Sequence, residues 1–172
     1  MKKILLTALI ALTAGFASAQ ESGESKGKTR FSVGLEAGIP TGDAGDVFSL
    51  AIGGSAKVEV PVAASLFATG SAGYTSLSPK KEFKDFGAES MGFIPVKAGA
   101  KYFFTENIYG AGELGAVFGT EKGSETAFVW TPGVGISFPV SDKNAVDFDV
   151  RYESWSNNGS IDQIGFRVAL KF

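Results

Sequence analysis

The sequence predicts an all-β fold, an eight-stranded antiparallel up-and-down transmembrane β-barrel. Three observations predict it. Apolar residues alternate with small or polar ones along most of the chain, and a period of two puts them on opposite faces of a strand. After residue 19 there is no long unbroken apolar run, so any crossing of a bilayer must use strands. Short turns near residues 61, 105 and 141 alternate with longer loops near 40, 78, 120 and 155, which makes a series of hairpins with two unequal ends.

The N-terminus is a separate element. Lys2 and Lys3 precede an uncharged apolar run from Ile4 to Phe16, and Ala17-Ser18-Ala19 is an A-x-A cleavage site. Residues 1–19 are therefore expected to be a signal peptide, with cleavage between Ala19 and Gln20. The run is shorter than the ~20 residues a membrane-spanning helix needs. Residues 20–28 (QESGESKGK) are polar and rich in Gly and Ser, and are expected to be a flexible lead-in to a barrel domain over 29–172.

The strands follow in order. The first, about 30–39, sets Phe31, Val33, Leu35, Ala37 and Ile39 against Ser32, Gly34, Glu36 and Gly38. Residues 40–46 break the pattern as a loop. The second, about 48–60, sets Leu50, Ile52, Ala56, Val58 and Val60 against Ser49, Ser55, Lys57 and Glu59, and a turn over 61–64 follows. The third, about 65–77, has the weakest alternation, with Leu66, Ala68, Ala72 and Tyr74 opposing Thr69, Ser71 and Thr75. Residues 78–90 form the longest loop.

The fourth strand, about 91–104, places Ile94, Val96, Tyr102 and Phe104 opposite Lys97 and Lys101. The fifth, about 108–119, places Leu114, Ala116 and Phe118 opposite Glu113. The sixth, about 127–140, carries Phe128, Trp130, Val134, Ile136 and Phe138 on one face. It also contains Pro132, which removes a ladder donor and so predicts a local bulge. The seventh, about 145–154, alternates most cleanly: Val146, Phe148, Val150 and Tyr152 oppose Asp147, Asp149, Arg151 and Glu153. The last strand sets Phe166, Val168, Leu170 and Phe172 against Gly165, Arg167, Ala169 and Lys171.

Composition narrows the function. With no cysteine, neither a disulfide nor thiol chemistry is available. With no histidine, the usual general base and the commonest metal ligand are missing. A net charge of −2 argues against a nucleic-acid partner. The strand-forming part is long enough for about eight membrane strands of ~9–11 residues and far too short for a sixteen-stranded porin.

Alternation alone does not say which face is inside, since a soluble barrel of the lipocalin kind also alternates. Three features favour an apolar exterior. The polar face is mostly Gly, Ser, Thr and Ala, as a narrow interior requires. Its charges have both signs, with Lys57, Lys97, Lys101, Arg151, Arg167 and Lys171, together with Arg30, facing Glu36, Glu59, Glu113, Asp147, Asp149 and Glu153. Buried charges are tolerable when paired, so an interior charge network is expected. Finally, Phe31, Phe48, Tyr102, Phe104, Tyr109, Phe138, Tyr152, Trp155 and Phe172 lie near strand ends, where two interfacial girdles would form.

The signal peptide, the segment Lys101-Tyr102-Phe103-Phe104-Thr105-Glu106-Asn107-Ile108-Tyr109, the Gly110-Ala111-Gly112-Glu113-Leu114-Gly115 run and the terminal Phe172 together resemble the small OmpA/OmpX-type bacterial outer-membrane β-barrel family. The resemblance covers the whole chain after the signal peptide. It implies an outer-membrane location, both termini in the periplasm, and a C-terminal strand (Phe166, Val168, Leu170, Phe172) read by the barrel-insertion machinery. The family's terminal signal usually has a glycine five positions before the last aromatic residue, and here that position is Arg167.

Other motifs read as structure. Gly110-x-Gly112-x-x-Gly115 matches the dinucleotide fingerprint but lies inside a strand with no helix after it. Ser78-Pro79-Lys80-Lys81 matches S-x-x-K only in a loop. The carboxylates Asp147, Asp149 and Glu153 read as ion-pair partners of Arg151 rather than an acid–base pair. Asp43 and Asp46, with Gly42 and Gly45, are acidic turn residues that could offer oxygens to calcium. Asn158-Gly159-Ser160 is first a turn signal.

In the 78–90 loop, Lys80, Lys81 and Lys84 can meet anionic headgroups or sugars, and Phe83 and Phe86 can anchor a partner. The reading is a monomeric integral outer-membrane barrel, not an enzyme and without a cofactor. Its partners are outer-membrane lipid, the insertion machinery and an extracellular partner or lipopolysaccharide. A narrow channel for ions or small solutes, and a secreted soluble ligand-binding barrel, are the alternatives.

Overall fold

The computed structural model describes residues 28–121, 123–157 and 159–172. The cleavage site Ala19–Gln20, almost all of the 20–28 segment and Asn158 lie outside the described residues. Eight strands run in order: β1 Arg30–Thr41, β2 Phe48–Ala63, β3 Leu66–Pro79, β4 Met91–Phe103, β5 Ile108–Gly119, β6 Thr126–Pro139, β7 Ala145–Ser156 and β8 Ser160–Lys171. Each pairs antiparallel with the next, and β8 pairs back onto β1, so the sheet closes. At the seam Leu35 faces Val168 and Glu36 faces Arg167. Phe31 and Phe172 exchange backbone hydrogen bonds of 2.9 and 2.8 Å, which carries the ladder to the last residue.

The two ends differ as the loop spacing predicts. At the turn end, Ala64 and Ser65 alone join β2 to β3. The β4–β5 turn is built on Thr105, whose Oγ1 accepts from the backbone N–H of Asn107 (3.3 Å) and Ile108 (3.0 Å). Ser141 serves the β6–β7 turn in the same way, accepting from Asn144 at 3.1 Å. Such hydroxyl acceptors replace a backbone partner within a tight turn.

Two short helices occupy the loop end, α1 (Gly42–Val47) and α2 (Lys81–Lys84). The alternation ends there, and residues 40–46 are therefore not simply loop: β1 continues to Thr41 and α1 follows. The expected turn over 61–64 is also shorter, because β2 stays paired through Ala63, opposite Leu66.

The expected bulge at Pro132 does not form. Trp130↔Ser154 and Gly133↔Arg151 keep one register, so no residue is inserted and the ladder toward β7 merely skips the proline. On the β5 side Pro132 stays opposite Gly112. Pro95 is accommodated likewise, with β3–β4 pairing resuming in register on either side of it. The register shifts fall between β2 and β3, at Phe48/Leu50 and Pro61/Ala63.

Burial is inverted relative to a water-soluble protein. Leu35 is 78% exposed and Val134 61%, whereas Lys101, Arg167 and Glu153 are each 2% exposed. The apolar face therefore points outward and the charged face inward, the reverse of a soluble ligand-binding barrel. In this barrel a glycine is required where the tip of an aromatic ring meets the wall. A Cβ on Gly135 would collide with Cζ and Oη of Tyr109, which packs inward from the adjacent strand.

Replacing Gly135 with valine is expected to expel Tyr109 and cost about 1–3 kcal/mol through overpacking. Urea titration of the folded, heat-modifiable gel band should show a lowered midpoint, and Tyr109→Ala in the same background should recover part of the loss.

Candidate functional site

The lumen is built in three layers. Nearest the loop end, Ala51, Leu77, Val117, Val129 and Trp155 form a buried apolar cluster, packed by Phe48, Phe93, Ala127 and Ile161. The Trp155 ring lies 5.0 Å from that of Phe93. This layer was hidden in the sequence because its residues are few per strand and sit at strand ends. Trp155, Tyr109 and Phe48 consequently do not belong to the outer girdles expected of them: Trp155 and Tyr109 are buried in the lumen, and Phe48 packs against the apolar cluster. The signal that places the first two was parity. Trp155 shares the parity of Glu153, and Tyr109 that of Glu113. Phe31, Tyr102, Phe104, Phe138 and Phe172 are exposed at the turn end, on the outer wall.

Below the apolar layer lies the charged one, and the structure places all twelve network residues in it. Glu153 is its upper hub. Its Oε1 accepts from Trp155 Nε1 at 2.7 Å and Gln163 Nε2 at 3.2 Å. Its Oε2 meets Lys97 Nζ at 2.9 Å and Arg151 Nε at 3.2 Å. Arg151 also pairs with Glu36 across the β8 strand and with Asp149 at 3.2 Å. Glu36 then meets Arg167 at 3.4 Å, and Arg167 donates to Ser55 Oγ and Ser32 Oγ at 3.0 and 3.1 Å.

Lys57 pairs with Glu113 at 3.1 Å, where Thr69 Oγ1 donates to the same carboxylate at 3.0 Å. Nearer the turn end, Lys101 bridges Glu59 (2.7 Å) and Asp147 (2.8 Å), and Lys171 joins Asp147 at 2.9 Å. Six cations thus face six carboxylates, and every cation has a carboxylate within ion-pair distance. In a low-dielectric lumen an uncompensated charge would be costly, and this pairing offsets that cost.

The third layer, at the turn end, is aromatic. Phe67, Phe103 and Tyr109 pack on one another, with Phe103 5.7 Å from Phe67 and 5.4 Å from Tyr109. Lys101 Nζ lies 3.7 Å from the centre of the Tyr109 ring, a cation–π contact that ties this layer to the charges above.

Cavities within the charged layer are small. One of about 20 Å³ is bordered by Glu59, Tyr109 and Arg167, and one of about 10 Å³ by Glu36, Thr75 and Gln163. Each is at the scale of a single water. Gly110, Gly112 and Gly115 lie within β5, as wall. Asp43 and Asp46 lie on α1, and among the described residues no group of three or more candidate side chains is arranged to hold a metal.

The 78–90 loop is ordered. Lys80 N–H donates to Val47 O at 2.9 Å, which fastens it to the end of α1. α2 then closes in a Schellman motif: Ala88 N–H reaches Phe83 O at 3.0 Å and Gly87 N–H reaches Lys84 O at 2.9 Å, with Gly87 at φ +88°. Phe86 is left 93% exposed beside Phe83, which is 39% exposed.

A closed eight-stranded barrel with an apolar outer wall and a paired, charged lumen has the physical form of an outer-membrane protein. A family profile described as the outer membrane protein beta-barrel domain matches residues 7–172. The chain belongs to that family. Solved structures of this kind superpose on it. Ail, the attachment invasion locus protein of Yersinia pestis, matches with a TM-score of 0.56 at 18% identity, covering 84% of this chain and 97% of Ail. Ail in complex with the heparin analogue sucrose octasulfate matches at 0.59, with the same identity and coverage. Neisserial surface protein A matches at 0.57 and 14% identity, covering 83% of this chain and 95% of that one. At these identities the likeness is one of fold. No curated protein sequence matches the chain.

In this outer-membrane barrel, Glu153→Gln is expected to cost about 3 kcal/mol or more, because Lys97 loses its carboxylate partner while still buried. Adding Lys97→Met should restore much of the loss, since a buried pair replaced by apolar groups is close to neutral. The urea midpoints of the four proteins in one lipid would check this double-mutant cycle.

Proposed function

We propose that this outer-membrane barrel acts at its loop end, as a displayed binding surface for an extracellular partner or for lipopolysaccharide, and that it does not conduct solutes. The ordered 78–90 loop carries the reading. A fixed turn that holds Phe86 almost fully in solvent is favourable for contact, because its ordering entropy is already spent. Lys80, Lys81 and Lys84 are balanced by Glu82, Asp85 and Glu89, so Phe83 and Phe86 supply the anchoring and the charges supply register. The heparin-analogue complex of Ail makes a sulfated saccharide a reasonable first ligand to try.

The lumen supports the same reading from the other side. An ion entering from the loop end meets the Trp155 layer, then charges already paired with one another. The N-terminal signal with cleavage at Ala19–Gln20, and Phe166, Val168, Leu170 and Phe172 as the strand read by the insertion machinery, complete the proposal as the route to the outer membrane.

Membranes bearing the intact chain should be retained on immobilised heparin or on lipopolysaccharide-coated surfaces. Phe83→Ala with Phe86→Ala should weaken retention roughly tenfold or more, the scale of an aromatic hot spot. Equal retention would remove the loop from the mechanism. In planar bilayers the wild-type barrel is expected to give no steady single-channel steps. Steps that vanish when Lys97 or Arg151 is neutralised would establish the channel instead.

A further inference from the structure

The opposite end of the barrel holds a charge that the network does not use. Arg30, the first residue of β1, shares the inward parity of Ser32 and Glu36. The six lumen cations described above are matched by six carboxylates, and Arg30 is a seventh. Among the described residues no carboxylate lies within ion-pair distance of it. Its guanidinium stands 5.3 Å from the centre of the Phe67 ring, which is itself 5% exposed. A cation–π contact at this distance leaves guanidinium N–H groups free for another acceptor, in the fork geometry that matches a carboxylate.

Those groups border two adjoining clefts at the turn end. One, of about 350 Å³, is lined by Arg30, Ser65, Phe67, Phe103, Thr105 and Glu106. The second, of about 240 Å³, shares Arg30, Phe103 and Glu106 and adds Asp142, Lys143 and Lys171 to its lining. The first has the size of a small-molecule site. Glu106 also has no ion-pair partner among the described residues. In the first cleft Arg30 and Glu106 are the charged lining residues, opposite in sign and each without an ion-pair partner among the described residues, and Phe67, Phe103 and Phe104 line the same space.

We infer that this mouth binds a small zwitterion of peptide class, its carboxylate on the Arg30 fork and its ammonium on Glu106, with an apolar side chain against Phe103. Glu106 disfavours a polyanion such as free phosphate. The inward parity of Arg30 turns its side chain to the aqueous mouth rather than to headgroups around the barrel. The site is separate from the 78–90 loop, so the two readings stand or fall independently.

The test is a titration of the intact barrel in uncharged maltoside micelles, followed by backbone amide NMR. Alanyl-alanine is expected to give saturable shifts at Phe103, Glu106 and their neighbours. N-acetyl-alanyl-alanine, which has lost the ammonium, should bind several-fold more weakly. Arg30→Gln should weaken alanyl-alanine about tenfold or more, the scale of a charge-assisted hydrogen bond. Phe67→Leu keeps the charge but unstacks it, and should weaken binding while the barrel stays heat-modifiable. No saturable shift with wild type, or equal affinity for the acetylated peptide, would overturn the assignment. Tighter binding of phosphoethanolamine than of alanyl-alanine would make the site a headgroup site and overturn the peptide class.

Discussion

The β1–β8 ladder is the interaction on which the rest of the molecule depends. A bilayer offers no water to an unpaired backbone N–H or C=O, so an open sheet edge cannot be left in it. The ladder from Ser32–Lys171 to Thr41–Asp162, extended by the Phe31–Phe172 pair, leaves no such edge along the wall. Closure at eight strands also sets the bore. An eight-stranded barrel is just wide enough to be filled by its own side chains. Lumen and wall are therefore two results of one constraint: whatever points inward must pack, and whatever is charged must be paired.

The ion pairs answer that demand by crossing the bore. Lys97 on β4 meets Glu153 on β7, Lys101 on β4 joins Glu59 on β2 to Asp147 on β7, and Arg151 on β7 reaches Glu36 on β1. Contacts of this kind tie opposite walls together, while neighbouring strands are already held by the ladder. Buried pairs are weak evidence for net stability, since an apolar filling can do as well. Their value here lies in register. A one-residue slip of a charge-bearing strand such as β4 or β7 would turn its charges out toward lipid, where no partner exists. For those strands the network favours the correct register.

Much of this was legible in the sequence, and the misreadings have specific causes. β7 was the clearest strand because aromatic and aliphatic residues alternate there with four charges, and the burial follows that alternation. β3 was the least clear because Phe67 and Leu77 point inward among small polar residues, which blurs the contrast between faces. Position near a strand end points Tyr109 and Trp155 to the girdles, whereas their parity points them inward, where they lie. Pro132 predicts a bulge, but a closed barrel absorbs the missing donor by skipping a rung on one side while the other side stays paired. Loop order at α2 depends on backbone hydrogen bonds that no periodicity encodes. The surplus of Arg30 could be counted in the sequence only once its partners were known to be taken.

The order of the lumen layers gives the barrel an electrical polarity along its axis. An ion approaching from the loop end must shed its hydration among Leu77, Val117, Val129 and Trp155 before it meets the paired charges of the lumen. One approaching from the turn end meets Lys171, Asp147 and Lys101 at the foot of an open mouth. The free-energy peak is the same from either side, but its slopes differ, steep toward the loops and graded toward the turns. Desolvation is thus abrupt at one mouth and gradual at the other.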